Sequence, residues 1–212
     1  MNYREFTNKF QGLPIIISKD VVRAEEDNQV VRNQLNRWQK KGLIIKLKRG
    51  VYLFNKNDRR IDPSLVFVAN QLYAPSYVSL EFALNYYGLI PERVADLTCI
   101  STKKTIRFEN ELGLFIYQHV KPGAFRGFRL SKDEYGMPLL FAEPEKAVVD
   151  FLYFNLNKFK SDSEKQFKDS YRFQNIESLK QKRLIELARH FENKKLMRLI
   201  ESFSNFITSE VK

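Results

Sequence analysis

The chain has 212 residues and a formal net charge of +11, and 43% of its residues are hydrophobic. This composition excludes a chain that is disordered throughout, and the length allows one large domain or two small ones. The single cysteine, Cys99, excludes an intramolecular disulfide, and we expect it to be buried because it lies in an apolar run. The sequence has no membrane-spanning stretch and no signal-peptide pattern, so we expect a soluble cytoplasmic protein.

The positive charge is concentrated in one segment. Residues 32–60 contain ten Lys or Arg and one acidic residue, Asp58, which gives this segment +9 of the chain's +11. Such a concentration favours a polyanion-binding face over a generally basic protein. The alternative is an ordinary solvated basic surface.

Two short helices are predicted at the N-terminus. Residues 2–11 have an apolar face, and residues 19–24 follow Ser18, the predicted N-cap of the second helix. A polar turn comes next, with Asp27 or Asn28 capping a third helix.

The third helix is predicted over residues 29–41. Val31, Leu35 and Trp38 follow at i, i+4 and i+7 and therefore form one apolar stripe, while the other faces are polar and basic. Gly42 comes directly after the last cations, as is typical of a helix C-terminus.

A two-stranded hairpin is predicted directly after this helix. Apolar residues alternate with other residues over 43–48, as in a strand. Arg49 and Gly50 make a tight turn, and residues 51–54 form the returning strand. Three helices followed by a basic hairpin are typical of a winged helix-turn-helix, so residues 1–60 are predicted to be a DNA-binding domain.

The predicted third helix carries side-chain types that suit the reading of bases. Arg32, Asn33 and Asn36 lie opposite the apolar stripe, and Arg and Asn make bidentate contacts to guanine and adenine. The cations near the helix end are expected to contact phosphate, and the hairpin cations to contact the backbone or minor groove. Alternatively, this is an amphipathic helix against a hairpin, or a winged helix that binds RNA or protein. The predicted DNA-binding residues are Gln29, Arg32, Asn33, Asn36, Arg37, Lys40, Lys41, Lys46, Lys48 and Arg49.

Residues 61–212 are predicted to form a second, mixed α/β domain. Helices are predicted over residues 63–73 and 79–87, and short strands with turn residues between them follow, which favours a small, mostly antiparallel sheet. The predicted strands are 97–101, 105–109, 114–119, 127–130 and 139–142. The predicted fold class is therefore α+β.

The C-terminal third is predicted to be helical. Helices are expected over residues 143–155, 176–191 and 194–208. Residues 157–174 are polar and predict either a mobile connection or an exposed helix.

The sequence contains no common catalytic or metal-binding motif, and we predict no enzyme, no metal and no cofactor. An alternative is a metal-dependent nuclease that a winged helix delivers to DNA. Its carboxylate–lysine set would be Glu143, Glu145, Lys146 and Asp150, although capping of a helix N-terminus explains these residues more simply.

Three blocks resemble the AbiEi family of antitoxins. Residues 38–54, with KKGLI and RGVY, resemble the N-terminal winged helix of that family. Residues 75–91, which include PSYVSLEFAL and YGLIP, resemble the block that follows it, and residues 142–153, AEPEKAVVDFLY, resemble a later segment. The helices after Asn157 carry no recognised motif.

This resemblance implies an antitoxin of a type IV toxin–antitoxin system, a form of abortive infection that defends bacteria against phage. The winged helix would bind inverted repeats in double-stranded DNA of its own promoter and act as a transcriptional repressor of the operon. The second domain would counteract a nucleotidyltransferase-like toxin without necessarily forming a stable complex with it. The residues that oppose the toxin are not identified by the resemblance.

Overall fold

The N-terminal part contains three helices and three strands. A computed structural model describes residues 1–25, 28–159 and 163–210. These first elements are α1 (Tyr3–Phe10), β1 (Ile16–Ile17), α2 (Ser18–Glu25), α3 (Asn28–Lys40), β2 (Ile44–Lys48) and β3 (Val51–Phe54). The predicted helices and hairpin are confirmed to within one residue. Ser18 is the first residue of α2 rather than its cap, and Asp27, a predicted cap of α3, lies outside the described residues.

Helix α1 begins at a capping box. The Asn2 side chain accepts a hydrogen bond from the Glu5 backbone N–H at 3.0 Å, and the Glu5 carboxylate accepts from the Asn2 backbone N–H at 2.9 Å. The helix buries Phe6 and Phe10, and the Phe6 ring centroid lies 4.5 Å from that of Trp38 on α3. Aromatic packing therefore joins α1 to α3.

The three N-terminal strands form an antiparallel sheet in the order β1-β3-β2. Strand β1 was not predicted, because two residues are too few to show an alternating pattern. Its Ile16 pairs with Tyr52 and is 1% exposed. The two residues directly before α2 therefore form one edge of the sheet.

Strand β2 contains a β-bulge. Lys46 pairs with Tyr52 and Lys48 pairs with Val51, so Leu47 is the extra residue. Leu47 is buried, and the bulge ends the strict alternation that the sequence predicted for this strand. As a result, Lys46 and Lys48 do not share one face.

The rest of the chain forms a larger sheet with helices. These elements are α4 (Leu65–Leu72), β4 (Ser76–Val78), α5 (Leu80–Tyr86), β5 (Leu97–Ser101), β6 (Ile106–Asn110), β7 (Gly113–His119), β8 (Phe128–Lys132), β9 (Pro138–Ala142), α6 (Pro144–Phe154), α7 (Ser163–Lys165), α8 (Gln181–Arg189) and α9 (Lys194–Glu210). The chain is thus a mixed α/β protein with two sheets in its described part, of which the smaller is antiparallel.

The larger sheet has six strands in the order β6-β7-β5-β4-β9-β8. The five predicted strands are present, and β4 is an addition that the sequence did not reveal. Three pairings are antiparallel, whereas β5 with β7 and β4 with β9 are parallel. The sheet is therefore larger and more mixed than predicted, because the buried three-residue strand β4 joins two groups of strands.

The C-terminal helices pack on one another, with α6 against β9, and differ from the prediction in two places. The segment predicted as mobile or exposed contains α7 and a π-helical turn, and its Phe167 is fully buried. The helix predicted over residues 176–191 is a 3-10 turn at Ile176–Ser178 followed by α8. No described helix is both long enough and apolar enough to cross a membrane.

The hairpin packs against the second part of the chain. Leu47 and Leu53 are each 2% exposed and share a hydrophobic cluster with Leu72 and Phe115. The Asn110 side-chain amide donates to the Leu47 carbonyl oxygen at 3.0 Å. The predicted parts, residues 1–60 and 61–212, therefore share buried contacts across the predicted boundary.

Candidate nucleic-acid interface

Helix α3 has one buried and one exposed face, as its periodicity predicts. Val31, Leu35 and Trp38 are at most 6% exposed and pack in the N-terminal cluster. The exposed face carries polar and basic side chains from one end of the helix to the other. These exposed residues are Gln29, Arg32, Asn33, Asn36, Arg37 and Lys40, and Lys41 is exposed directly after the helix.

The tip of the hairpin is tied to the start of α2. The Ser18 backbone N–H donates to the Gly50 carbonyl oxygen at 2.9 Å. Gly50 has φ = +78°, and a Cβ there would lie 3.0 Å from the Ser18 hydroxyl oxygen. Glycine thus permits both the left-handed turn and the close approach that hold Arg49 beside α2.

The structure brings four predicted residues to one groove. Arg32 and Asn36 reach it from α3, and Lys46 and Arg49 reach it from the hairpin. The groove has a volume of about 590 Å³, and all four side chains are exposed. Its other lining residues are Ser18, Lys19, Val22, Gly50 and Tyr52.

Lys19 is a basic residue of this groove that the sequence reasoning missed. It is the second residue of α2, whose place beside the hairpin depends on the bond between Ser18 and Gly50. Its charge was visible in the sequence, but nothing local connects residue 19 with residues 46–49.

The other predicted residues on α3 lie outside the groove on the same exposed surface. The Gln29 side-chain amide donates to the Asn33 side-chain oxygen at 3.1 Å, which orders the first two turns of that face. Arg37 and Lys40 occupy the last turn, where cations interact favourably with the helix dipole. Among the described residues, no ion pair neutralises Arg32, Arg37, Lys40, Lys41, Lys46 or Arg49.

Lys48 differs from the other nine predicted residues. Its ammonium donates to the Leu72 carbonyl oxygen and lies 5.6 Å from the centroid of the Phe108 ring. Burial lowers the pKa of the Lys48 ammonium, and the nearby charge of Lys103 lowers it further. The structure therefore places Lys48 at the junction between the two parts, whereas the sequence predicted a wing contact to DNA. The bulge at Leu47 is the reason, because it turns Lys48 away from Lys46.

Some charged side chains of the basic segment, residues 32–60, bind other residues of the chain. The Arg59 guanidinium pairs with Asp62 at 2.5 Å and also donates to the Phe54 carbonyl oxygen at 3.4 Å, and its side chain is only 10% exposed. Asp58, the one acid in the segment, accepts a hydrogen bond from the Tyr3 hydroxyl at 2.7 Å. Six exposed cations of the segment lie on α3, directly after it or on the hairpin, and two, Lys56 and Arg60, follow the hairpin.

The carboxylates of the nuclease alternative make internal contacts. Glu143 accepts from Arg183 at 3.0 Å, and Glu145 accepts from the Lys180 backbone N–H at 3.0 Å. Glu143 occupies the N-cap of α6 but makes no side-chain capping bond, so the capping explanation does not hold for it.

Lys146 and Asp150 form a fully buried ion pair at 2.6 Å. The Ser79 and Tyr77 hydroxyls donate to the other Asp150 carboxylate oxygen at 2.7 and 3.0 Å. Burial raises the pKa of the Asp150 carboxyl and lowers the pKa of the Lys146 ammonium, while each partner's charge opposes that shift.

The described residues contain no group of three or more His, Cys, Asp or Glu side chains that could hold a metal ion. Cys99 is fully buried, as predicted, and burial raises the pKa of its thiol. Comparison of the chain with protein-family models and with curated proteins gives no match.

Proposed function

We propose that residues 1–60 form a winged helix-turn-helix that binds double-stranded DNA, and that the protein is an autorepressing antitoxin of the AbiEi family. The observation that carries the DNA-binding proposal is the groove between α3 and the hairpin. Two base-reading side-chain types, on Arg32 and Asn36, converge there with two exposed cations, Lys46 and Arg49. That combination suits a duplex, which offers base edges in a groove and phosphates beside it.

In this proposal α3 enters the major groove. Arg32 contacts guanine and Asn33 or Asn36 contacts adenine, because a guanidinium or amide makes two hydrogen bonds to those base edges. Arg37 and Lys40 contact phosphate at the end of the helix. The hairpin is the wing, and Lys46 and Arg49 contact the neighbouring backbone or minor groove.

The antitoxin role rests on the resemblance of residues 38–54, 75–91 and 142–153 to the AbiEi family. The protein would repress its own operon through the winged helix. The second part, which contains the larger sheet and α4 to α9, would counteract a nucleotidyltransferase-like toxin. The type IV assignment and a role in phage defence follow from the same resemblance.

The DNA-binding proposal is tested with labelled duplexes that tile the region upstream of the protein's own gene. We expect one fragment to bind more tightly than a scrambled duplex of equal length. The variants Arg32→Ala and Asn36→Ala should each lose about 1–3 kcal/mol of this discrimination, because each removes one base contact.

Lys182→Ala is the matched control, since it removes an exposed cation from α8 and should bind as the wild type does. A wild-type protein that binds the upstream and scrambled duplexes equally would contradict sequence-specific repression. If both α3 variants discriminated between the two duplexes as well as the wild type does, α3 would not be the helix that reads the bases.

The antitoxin proposal is tested by co-expression with the adjacent gene. If that gene alone arrests growth, we expect the full chain to restore growth in the same cells. An adjacent gene that does not impair growth, or an arrest that the full chain leaves unchanged, would reject the antitoxin role. The DNA-binding proposal would then be decided by its own test alone.

A further inference from the structure

The larger sheet has one edge against the hairpin and one open edge. At the first edge the hairpin strand β2 lies against β6, and the Asn110 side-chain amide donates to the Leu47 carbonyl oxygen. The opposite edge is β8, and in the described part of the chain β9 is the only strand that pairs with it. Of the five residues of β8, the four from Arg129 to Lys132 are exposed. An edge of this kind offers unpaired backbone groups to another strand.

The hydrogen bonds between β8 and β9 show which backbone groups are unpaired. At one end of β8 the Gly127 carbonyl oxygen accepts from the Glu143 backbone N–H at 2.9 Å. At the other end the Asp133 backbone N–H donates to the Met137 carbonyl oxygen, also at 2.9 Å. Bonded and unbonded pairs alternate in an antiparallel ladder, so every second residue between these ends faces outward with its N–H and C=O groups. These outward-facing residues are Phe128, Leu130 and Lys132.

The side chains of β8 combine an apolar centre with flanking charges. Leu130, the central residue, is 71% exposed. Arg129 and Lys132 carry positive charges on either side of it, and the Arg129 guanidinium lies 3.8 Å from the Glu143 carboxylate. Charges on an edge strand hinder pairing wherever they meet a like charge. A suitable partner strand therefore has an apolar residue opposite Leu130 and no cation opposite either charge.

The β8 strand of a second copy meets these conditions. When two copies run antiparallel about a two-fold axis at Leu130, all five residues of the strand are paired, and any other centre leaves at least one unpaired. Leu130 then faces Leu130 of the second copy, and no charge lies opposite a like charge. The outward-facing residues meet one another in this register, in pairs that each exchange two backbone hydrogen bonds. The remaining pairs are Phe128 with Lys132 and Arg129 with Ser131.

We propose that the protein forms a two-fold dimer in which β8 pairs with β8 of a second copy and joins the two six-stranded sheets into one. The pairing uses the open edge of both copies, and the other edge of each sheet lies against β2. The assembly therefore closes at two copies and does not continue into a fibre. This inference goes beyond the proposed function and does not depend on DNA binding.

The test is sedimentation velocity of the full chain over a concentration series from about 1 to about 200 µM. KCl at about 0.3 M screens the repulsion between two chains of net charge +11. We expect the wild type to pass from monomer to dimer within this range, because an interface one strand wide is at the weak end of specific interfaces. A wild type that stays monomeric at every concentration, or that continues to grow beyond a dimer, would overturn the inference.

Three variants make the result specific to the centre of β8. Leu130→Lys places two cations opposite each other at the axis and should raise the dissociation constant at least about tenfold. Leu130→Val keeps an apolar side chain that suits a strand and should keep the wild-type constant. Tyr86→Lys adds the same charge at a 70% exposed residue of α5 and should also keep it. Wild-type dimerisation of Leu130→Lys, or equal weakening by Tyr86→Lys, would overturn the inference.

Disulfide cross-linking tests the register. Arg129 and Ser131 of the second copy would form an unbonded pair, in which Cβ atoms approach most closely. Oxidation of a mixture of Arg129→Cys and Ser131→Cys should therefore give a linked dimer, whereas either variant alone should give far less. The native Cys99 is fully buried and serves as no competitor.

Equal cross-linking of the mixture and of either variant alone, or none in the mixture, would contradict the proposed pairing. Because none of these measurements uses DNA, their failure would leave the proposed function to its own tests.

Discussion

At the scale of single residues, the ion pair between Lys146 and Asp150 is a fully enclosed polar contact. Both side chains are 0% exposed, and the carboxylate also accepts hydrogen bonds from Tyr77 and Ser79. The Lys146 ammonium lies 4.3 Å from the centroid of the Phe191 ring. These contacts connect α6 with β4 and with the end of α8, so the pair joins elements that are far apart in sequence.

Lys146→Met should lower the free energy of unfolding by about 3–5 kcal/mol, because it leaves the Asp150 carboxylate buried without its partner. Replacement of both residues, in Lys146→Met/Asp150→Leu, should be less damaging than the sum of the two single changes. Urea unfolding followed by circular dichroism measures all three variants. A cost of less than about 1 kcal/mol for Lys146→Met would contradict the argument from burial.

At the scale of elements, the bulge in β2 decides what the hairpin presents to solvent. Lys46 lines the groove beside α3, whereas Lys48 is bonded to Leu72 at the junction. Regular alternation would have placed both lysines on one face. One inserted residue, Leu47, thus separates a proposed phosphate contact from a structural anchor.

Lys46→Ala should make the salt slope of DNA binding less negative by about 1, because one phosphate contact is lost. Lys48→Met should leave the slope unchanged and lower the melting temperature, since it removes an anchor of the hairpin. Salt-series binding and thermal unfolding of the two variants make a matched comparison within one strand. Equal changes of slope would show that Lys48 also contacts phosphate.

At the scale of the whole molecule, side chains of the hairpin pack into two hydrophobic clusters. Ile44 and Tyr52 pack in the N-terminal cluster, while Leu47 and Leu53 pack against the second sheet. A fully buried leucine contributes about 1.5–3 kcal/mol of hydrophobic stabilisation. The proposed DNA-binding surface is therefore coupled to the second part through side chains and not only through the chain connection.

This shared core predicts that the two parts unfold together. Trp38 is the single tryptophan of the chain and lies in the N-terminal cluster, so its fluorescence reports on that part alone. Its urea transition should coincide with the transition seen by circular dichroism, which reports on all helices and strands. Leu53→Ala should shift both midpoints together. Two separate transitions would show that the parts are independent.

The sequence by itself determined the local elements and the identity of the exposed surface. Val31, Leu35 and Trp38 fixed which face of α3 is buried, because a helix repeats every 3.6 residues. The polar and basic residues between them were therefore exposed, and nine of the ten predicted DNA-binding residues are exposed in the structure. Gly42 and Gly50 marked the end of that helix and the turn of the hairpin, because glycine tolerates a positive φ angle. Both residues have a positive φ in the structure.

Only the tertiary structure decided which of these residues meet. Local periodicity cannot show the bulge at Leu47, the short strand β4, or the parallel pairing of β5 with β7, because each depends on partners distant in sequence. For the same reason it could not show Lys19 in the groove or Lys48 at the junction. Burial, pairing and proximity are properties of the folded chain, and they separate the exposed cations from those that hold the protein together.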